Sequence, residues 1–193
     1  MNTYPYPWDS FFSMVIPLVF VPALIGVLLI WWLTRRESEI PASSNGNRPR
    51  AGWLTGGRFN RWTTGILGGV LGFLAGALGL SWSGPVKDGG FSAPQLPAPG
   101  EWPVWQVILC GTVVVGTAFF VSLTSRRLMA GAMAAGLGTA TGFSTFFAAG
   151  VASPVPSQEG IGVMMAMGGT SFSLCLINLI VAMKREEKIK SRR

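Results

Sequence analysis

The side chains that could do chemistry within the apolar part of this chain are hydroxyls and one carboxamide. The candidates, which would lie along a polar path between helices, are Thr139, Ser144, Thr145, Thr170, Ser171 and Asn178. Such groups can bind a small uncharged solute or join two helices by hydrogen bonds. The chain has no histidine, so no serine has an imidazole base to activate it. Residues 142–146 resemble a GxSxG nucleophile motif but lack its last glycine, and we expect no catalytic residue.

The sequence also offers few side chains that could bind a metal ion or a cofactor. Cys110 and Cys175 are the two cysteines, and two separated thiols cannot hold a structural zinc ion or an iron–sulfur cluster. Their predicted difference in membrane depth, roughly 12 Å at the helical rise, is too large for a disulfide. Every Asp, Glu, Lys and Arg lies outside the apolar stretches, which argues against a proton relay. We expect no metal, no cofactor and no enzyme activity.

Five long apolar stretches must position these residues. Residues 11–33, 63–82, 104–123, 128–153 and 161–183 contain no charge, and about 20 helical residues cross a hydrocarbon core of about 30 Å. Charged residues make up 12% of the chain, about half of what a soluble domain carries. The predicted fold class is therefore all-α: a polytopic integral membrane protein forming a bundle of five transmembrane helices in a single membrane domain, 1–193.

The basic residues indicate an orientation. Alternate connections carry 14 and 1 of the 15 Lys and Arg residues, the asymmetry expected when the richer side is cytoplasmic. We predict an N-terminus outside, a cytoplasmic C-terminus and a multi-pass location in the cell inner membrane. The tryptophans lie near the ends of the stretches, where indole rings prefer the interface.

Three connecting segments flank the helices. Residues 34–61 are predicted to form a flexible cytoplasmic loop and residues 83–103 an irregular outer loop rich in Pro and Gly. Residues 184–193 form a basic cytoplasmic tail whose first role is to set topology, although it could also bind anionic lipids. The same charge distribution gives no reason to expect nucleic-acid binding.

Small residues recur at helical spacing in three of the stretches and predict the faces on which helices touch. In the second stretch they are Gly65, Gly69, Gly72, Gly76 and Gly79, with Gly68 beside them. In the fourth they are Gly131, Ala135, Gly138, Gly142, Thr145 and Ala149, and in the fifth Gly162, Ala166, Gly169 and Ser173. The first stretch has few small residues and contains Pro17 and Pro22, so we expect a bent, peripheral helix.

Three functions fit these observations. The first is a non-catalytic membrane subunit or assembly factor, with other membrane protein subunits as partners. The alternative is a small homo-oligomeric channel or transporter for a small solute, with the fourth and fifth helices lining the path. A third, a lipid-handling or membrane-remodelling protein, depends on the glycine content and the basic face alone.

Overall fold

The computed structural model describes residues 8–35, 59–80, 103–151 and 159–191, and these form five helices. They are α1 (Trp8–Thr34), α2 (Arg61–Leu80), α3 (Val104–Leu123), α4 (Leu128–Val151) and α5 (Glu159–Lys190). The all-helical prediction is therefore confirmed for the described residues. Most of the predicted loops 34–61 and 83–103 lies outside the described ranges, as do residues 152–158.

Four of the five helices, α1, α2, α3 and α5, are long and apolar enough to cross a membrane. Helix α4 is long enough at 24 residues and carries no charge. Its apolarity is lower because glycine, threonine and serine take the place of large aliphatic side chains along much of its length. The length and composition of the helices thus support four of the five predicted spans.

Helix α1 is continuous through its two prolines. Its residues Ile16–Phe20 form a π-helical turn, in which the Val21 N–H donates to the carbonyl of Ile16. Because Pro22 has no N–H to donate, widening one turn lets the helix continue past it. The structure thus accommodates Pro17 and Pro22 by a π-turn within an unbroken helix.

Helix α5 extends beyond its predicted end. The apolar stretch stops at residue 183, but the helix continues to Lys190 and includes most of the residues predicted to form a tail. No glycine or proline follows Gly169, and Lys, Arg and Glu are good helix formers. The charge that ends the apolar stretch therefore does not end the helix.

Helix α4 lies at the centre of the bundle and contacts each of the other four helices. Of its 24 residues, 14 are buried. Its most extensive contact is with α2 and its next with α5, whereas α3 and α1 make smaller contacts. Of the described helices, the one that falls short of the apolarity of a membrane span is thus the one that the others enclose.

One end of the bundle, called here the turn end, contains the α3–α4 turn; α1, α3 and α5 finish there, and α2 and α4 begin there. Two backbone hydrogen bonds join Phe59 to the α3–α4 turn: its N–H donates to Thr124 O at 3.1 Å, and its carbonyl accepts from Arg126 N at 3.0 Å. The guanidinium Nη1 of Arg127 donates to the carbonyl of Thr34 at 2.7 Å. The turn thus links the end of α1 to the beginning of α2.

Candidate functional site

Helices α2 and α4 approach each other closely enough for their backbones to touch. A Cβ added to Gly72, Gly138 or Gly142 would lie closer than 3.0 Å to backbone atoms of the opposite helix, a distance that real Cβ atoms essentially never show. Gly65 and Gly69 lie in ordinary contact range of the same surface. This contact is called here the glycine seam, comprising Gly65, Gly68, Gly69, Gly72, Gly138 and Gly142. The sequence predicted this face on both helices.

The remaining small residues of α2 continue the same stripe onto other partners. Gly76 packs against the ring of Phe146, which meets Phe73 edge to face with centroids 5.6 Å apart. Gly79 packs against Cys110 on α3. A Cβ added to Gly79 would lie 2.8 Å from the Sγ of Cys110. One face of α2 therefore contacts α4 and then α3.

Three other small residues of α4 each have a different environment. Gly131 packs against Ser125 of the preceding turn, while Ala135 is buried with its carbonyl near Gly68. Ala149 is half-buried near the end of the helix. The predicted α4 stripe is thus shared between the seam and the helix ends.

Two of the small residues predicted to pack on α5, Gly169 and Ser173, face outward instead. A Cβ on Gly169 would meet no described atom within 4 Å, and Ser173 is exposed. Gly162 reaches only the edge of Phe147, and Ala166 is half-buried. The face that does contact the bundle contains four larger residues, Val163, Met167, Leu174 and Asn178, together with Ala182.

The reason lies on the opposite helix. A Cβ on Gly136 of α4 would come 2.9 Å from the backbone N of Cys175 and 3.0 Å from the carbonyl carbon of Leu174. Because α4 supplies the missing side-chain volume, α5 can approach with its larger residues facing inward. Small residues on one side of an interface are sufficient, and here they are on α4.

The hydroxyls proposed for a polar path differ from one another in burial and in hydrogen bonding. Thr139 and Ser144 are fully buried, but they lie five positions apart, or about 140° around α4. Thr145 donates to its own helix at Thr141 O, 2.8 Å away, and Thr170 likewise donates to Ala166 O. Hydroxyls bonded within their own helix offer a solute little.

Two of the buried hydroxyls have a further property in common. The Oγ1 of Thr139 and the Oγ of Ser144 have no hydrogen-bond partner among the described residues. Thr139 faces the glycine seam, with its Oγ1 3.1 Å from where a Cβ on Gly68 would lie. Ser171 is half-buried and contacts the Met167 sulfur at 3.6 Å.

Asn178 joins three helices instead of lining a path. Its Nδ2 donates to Ala118 O of α3 at 3.4 Å and to Ala132 O of α4 at 3.5 Å. Both bonds are long, and each is therefore weak. The interhelical hydrogen bond expected from the sequence is present, at the place where α3, α4 and α5 meet.

Two polar contacts were missed by the sequence reasoning. Gln106 is buried near the start of α3, and its Nε2 donates to Gly79 O at 2.6 Å. A carboxamide within an apolar stretch was the signal for it, as it was for Asn178. The bond from Arg127 to Thr34 joins residues 93 positions apart, and no local pattern indicates it.

The two cysteines belong to different interfaces. Cys110 faces α2, with its Sγ 3.8 Å from Ala75 O, and Cys175 faces α4, with its Sγ 3.7 Å from Met133 O. Both are free thiols. Within the described ranges, no three His, Cys, Asp or Glu residues come together as metal ligands would.

Four glycines outside the seam face outward. A Cβ on Gly111 or Gly116 of α3, or on Gly168 or Gly169 of α5, would meet no described atom within 4 Å. Large apolar side chains surround them, including Ile108 on α3 and Phe172 on α5. The outer faces of α3 and α5 therefore have shallow recesses that the described part of the chain does not fill.

The fold is that of a multi-pass membrane protein, with four helices apolar enough to cross a bilayer and a fifth enclosed by them. No protein-family model, curated protein or solved structure matches the chain.

Proposed function

We propose that this chain is a non-catalytic subunit or assembly factor of a larger membrane protein complex. All five helices would cross the membrane, with the turn end in the cytoplasm. The division of the basic residues, 14 to 1, supports this orientation. The enclosure of α4 supports its place as the fifth span, because a helix covered by others does not need a lipid-facing apolar surface.

The observation that carries the proposal is the difference between two sets of glycines. In the glycine seam they permit close backbone contact, whereas on the outer faces of α3 and α5 they contact nothing described. Glycine in a helix interior is unfavourable by about 1 kcal/mol relative to alanine in water. In lipid, small residues gain stability when another helix packs onto them. We therefore infer that α3 or α5 receives a helix of a partner protein.

The described contacts favour this proposal over the channel. Among the described residues, Thr145 and Thr170 donate within their own helices, and the α2–α4 contact brings backbone against backbone. A pathway would have to form between copies of the chain. A self-association product in the experiment below would therefore support the homo-oligomeric alternative.

Photocrosslinking in the native membrane tests the partner site. A photoreactive phenylalanine analogue at Phe172 on α5 is compared with the same analogue at Leu78 on α2, since these side chains are 72% and 71% exposed. A protein adduct of defined mass at position 172 and none at 78 is expected. Ile108 and Ile66, at 64% and 68%, form a second matched pair on α3 and α2. Equal crosslinking at matched positions would refute a dedicated partner face.

A labelling experiment tests the orientation separately. In a chain with both native cysteines replaced by alanine, Ser10→Cys and Ser191→Cys place single thiols at opposite ends of the bundle. A membrane-impermeant maleimide added to intact cells should label Ser10→Cys and leave Ser191→Cys unlabelled until the membrane is opened. Labelling of Ser191→Cys in intact cells would reverse the proposed topology.

A further inference from the structure

The turn end of the bundle gathers arginines from three separate parts of the chain. Arg127 bonds to the carbonyl of Thr34, so the neighbouring Arg35 lies beside the α3–α4 turn. Phe59 is bonded to both sides of the same turn, which places the start of α2 there as well. This group is called here the arginine clasp and comprises Arg35, Arg61, Arg126 and Arg127.

Two of these guanidinium groups are held over tryptophan rings. The Cζ of Arg35 lies 3.7 Å from the ring centroid of Trp31, and that of Arg61 lies 5.0 Å from the ring centroid of Trp62. Both indoles are exposed. Stacking on an aromatic face fixes the plane of a guanidinium while leaving its edge donors available. Indole rings of this kind lie at the level of lipid headgroups in a membrane.

Arg61 also has an unmet hydrogen-bond donor. Its Nε is buried and has no hydrogen-bond partner among the described residues. A buried charged donor without a partner is unfavourable, and an anion beside it would remove the cost. The clasp therefore contains one donor for which no described residue supplies an acceptor.

The electrostatics of this end favour an anion. The described part of this end includes the basic residues Arg35, Arg61, Arg126, Arg127, Lys184, Arg185 and Lys188, against the acidic residues Glu186 and Glu187. Helices α2 and α4 begin here, while α1, α3 and α5 end here, so their terminal dipoles oppose one another and give no positive contribution. The field at the clasp thus comes from the guanidinium groups themselves.

An apolar surface leads away from the clasp along α1. Leu24, Leu28, Trp31 and Arg35 follow one another at helical spacing, and all four are exposed. From Leu24 to Arg35 the rise is about 16 Å, close to the thickness of one leaflet of a hydrocarbon core of about 30 Å. An acyl chain along this surface would place its headgroup at Arg35.

We propose that the arginine clasp binds the headgroup phosphate of an anionic phospholipid, with an acyl chain along the outer face of α1. Guanidinium groups of Arg35 and Arg61 would donate to the phosphate oxygens, while Arg127 holds the turn between them. This inference rests on the proposed immersion of the chain in a membrane. It goes beyond a general attraction of the basic face for lipid because it requires particular donors.

Lipid binding to the full chain in mild detergent, measured by native mass spectrometry, tests the site. Phosphatidylglycerol is titrated against wild type, Arg35→Gln/Arg61→Gln, and a control, Lys184→Gln/Lys188→Gln. The control removes two charges from exposed positions on α5 at the same end. The first variant should lose about tenfold in lipid affinity or more, since a charge-assisted hydrogen bond is removed at each position. The control should stay within about twofold of wild type, because its lysines lie outside the clasp.

A charge-conserving variant separates guanidinium recognition from simple attraction. Arg35→Lys/Arg61→Lys keeps both charges but loses the planar donors and the stacking, so its affinity should fall by about threefold or more. Circular dichroism and gel filtration would show whether the glutamine variant folds. If it does not, the lysine variant still tests the proposal. Wild-type affinity in the lysine variant would overturn the proposal.

Three other results would overturn it. The first is a loss of affinity in the lysine control as large as that in the clasp variant, which would indicate a diffuse field. Phosphatidylcholine could bind as tightly as phosphatidylglycerol, which would remove the role of net charge. Glycerol 3-phosphate could displace the lipid at equal concentration, which would identify a site for a soluble phosphate. None of these changes the crosslink expected at position 172, so failure here is distinguishable from failure of the partner proposal.

Discussion

Substitution of Gly138 by alanine tests the glycine seam directly. The added Cβ would lie 2.9 Å from the carbonyl carbon of Gly65 and 3.1 Å from its Cα, with the carbonyl oxygen closer still. Ordinary contact begins at 3.4 Å, so the two backbones must separate by at least about 0.5 Å. A gap of this size forfeits about a quarter or more of the dispersion energy of each contact it opens. The effect spreads along the seam because α2 and α4 are stiff.

We expect Gly138→Ala to lower the free energy of unfolding by about 2–3 kcal/mol, in the upper part of the range for overpacked interiors. Gly142→Ala should behave similarly, since its Cβ would meet the backbone N of Phe73 at 2.8 Å. Gly111→Ala and Gly169→Ala are the controls, because there an added Cβ meets no described atom within 4 Å. These two should leave stability unchanged or raise it by up to about 1 kcal/mol through helix propensity.

The assay is reversible unfolding of the purified chain by SDS in mixed micelles, followed by circular dichroism. Wild type and the four alanine variants are compared under identical lipid and detergent composition. A cost for Gly138→Ala and Gly142→Ala within about 0.5 kcal/mol of the controls would refute the seam, because surface substitutions already vary by that much. The contact between α2 and α4 would then be mediated by side chains.

The same assay checks two polar contacts. Asn178→Ala should lower the free energy of unfolding by about 1 kcal/mol, because it removes the hydrogen bonds to α3 and α4. Ser173→Ala, at an exposed position, should cause no measurable change. Equal changes in the two variants would contradict the role of Asn178. Arg127→Gln should cost about 1.5–3 kcal/mol by removing a charged donor from the Thr34 carbonyl. The exposed Arg126→Gln should change stability by less than about 0.5 kcal/mol, and a similar loss in both variants would attribute the effect to charge alone.

The helices themselves follow closely from the sequence, because length and absence of charge are local properties. Helix α3 occupies the predicted range, 104–123, to the residue. Helix α5 does not, since charge ends an apolar stretch without ending a helix, and Lys184 to Lys190 continue it. Helix boundaries in this chain are thus predictable where proline or a turn marks them, as at Pro103.

Only part of the pairing between helix faces could be predicted from the sequence. Small residues on α2, α4 and α5 all permit close approach, and sequence spacing does not say which two faces meet. The bundle uses those of α2 and α4 against each other, whereas Gly169 remains outside. Gly136, which receives α5, was not in the predicted stripe. The bond from Arg127 to Thr34 depends on the assembled fold and could not be read from local spacing.

The enclosure of α4 has a consequence for how the chain reaches its final state. A helix rich in glycine and threonine gains less from entering lipid than its neighbours do, and its partners α2 and α3 are synthesised before it. In a five-span bundle, α4 would enter the membrane against a surface already present. The seam is then a receiving surface during synthesis as well as a contact in the finished protein. A bulky residue in it would lower the yield of inserted chain in addition to the stability of the chain that inserts.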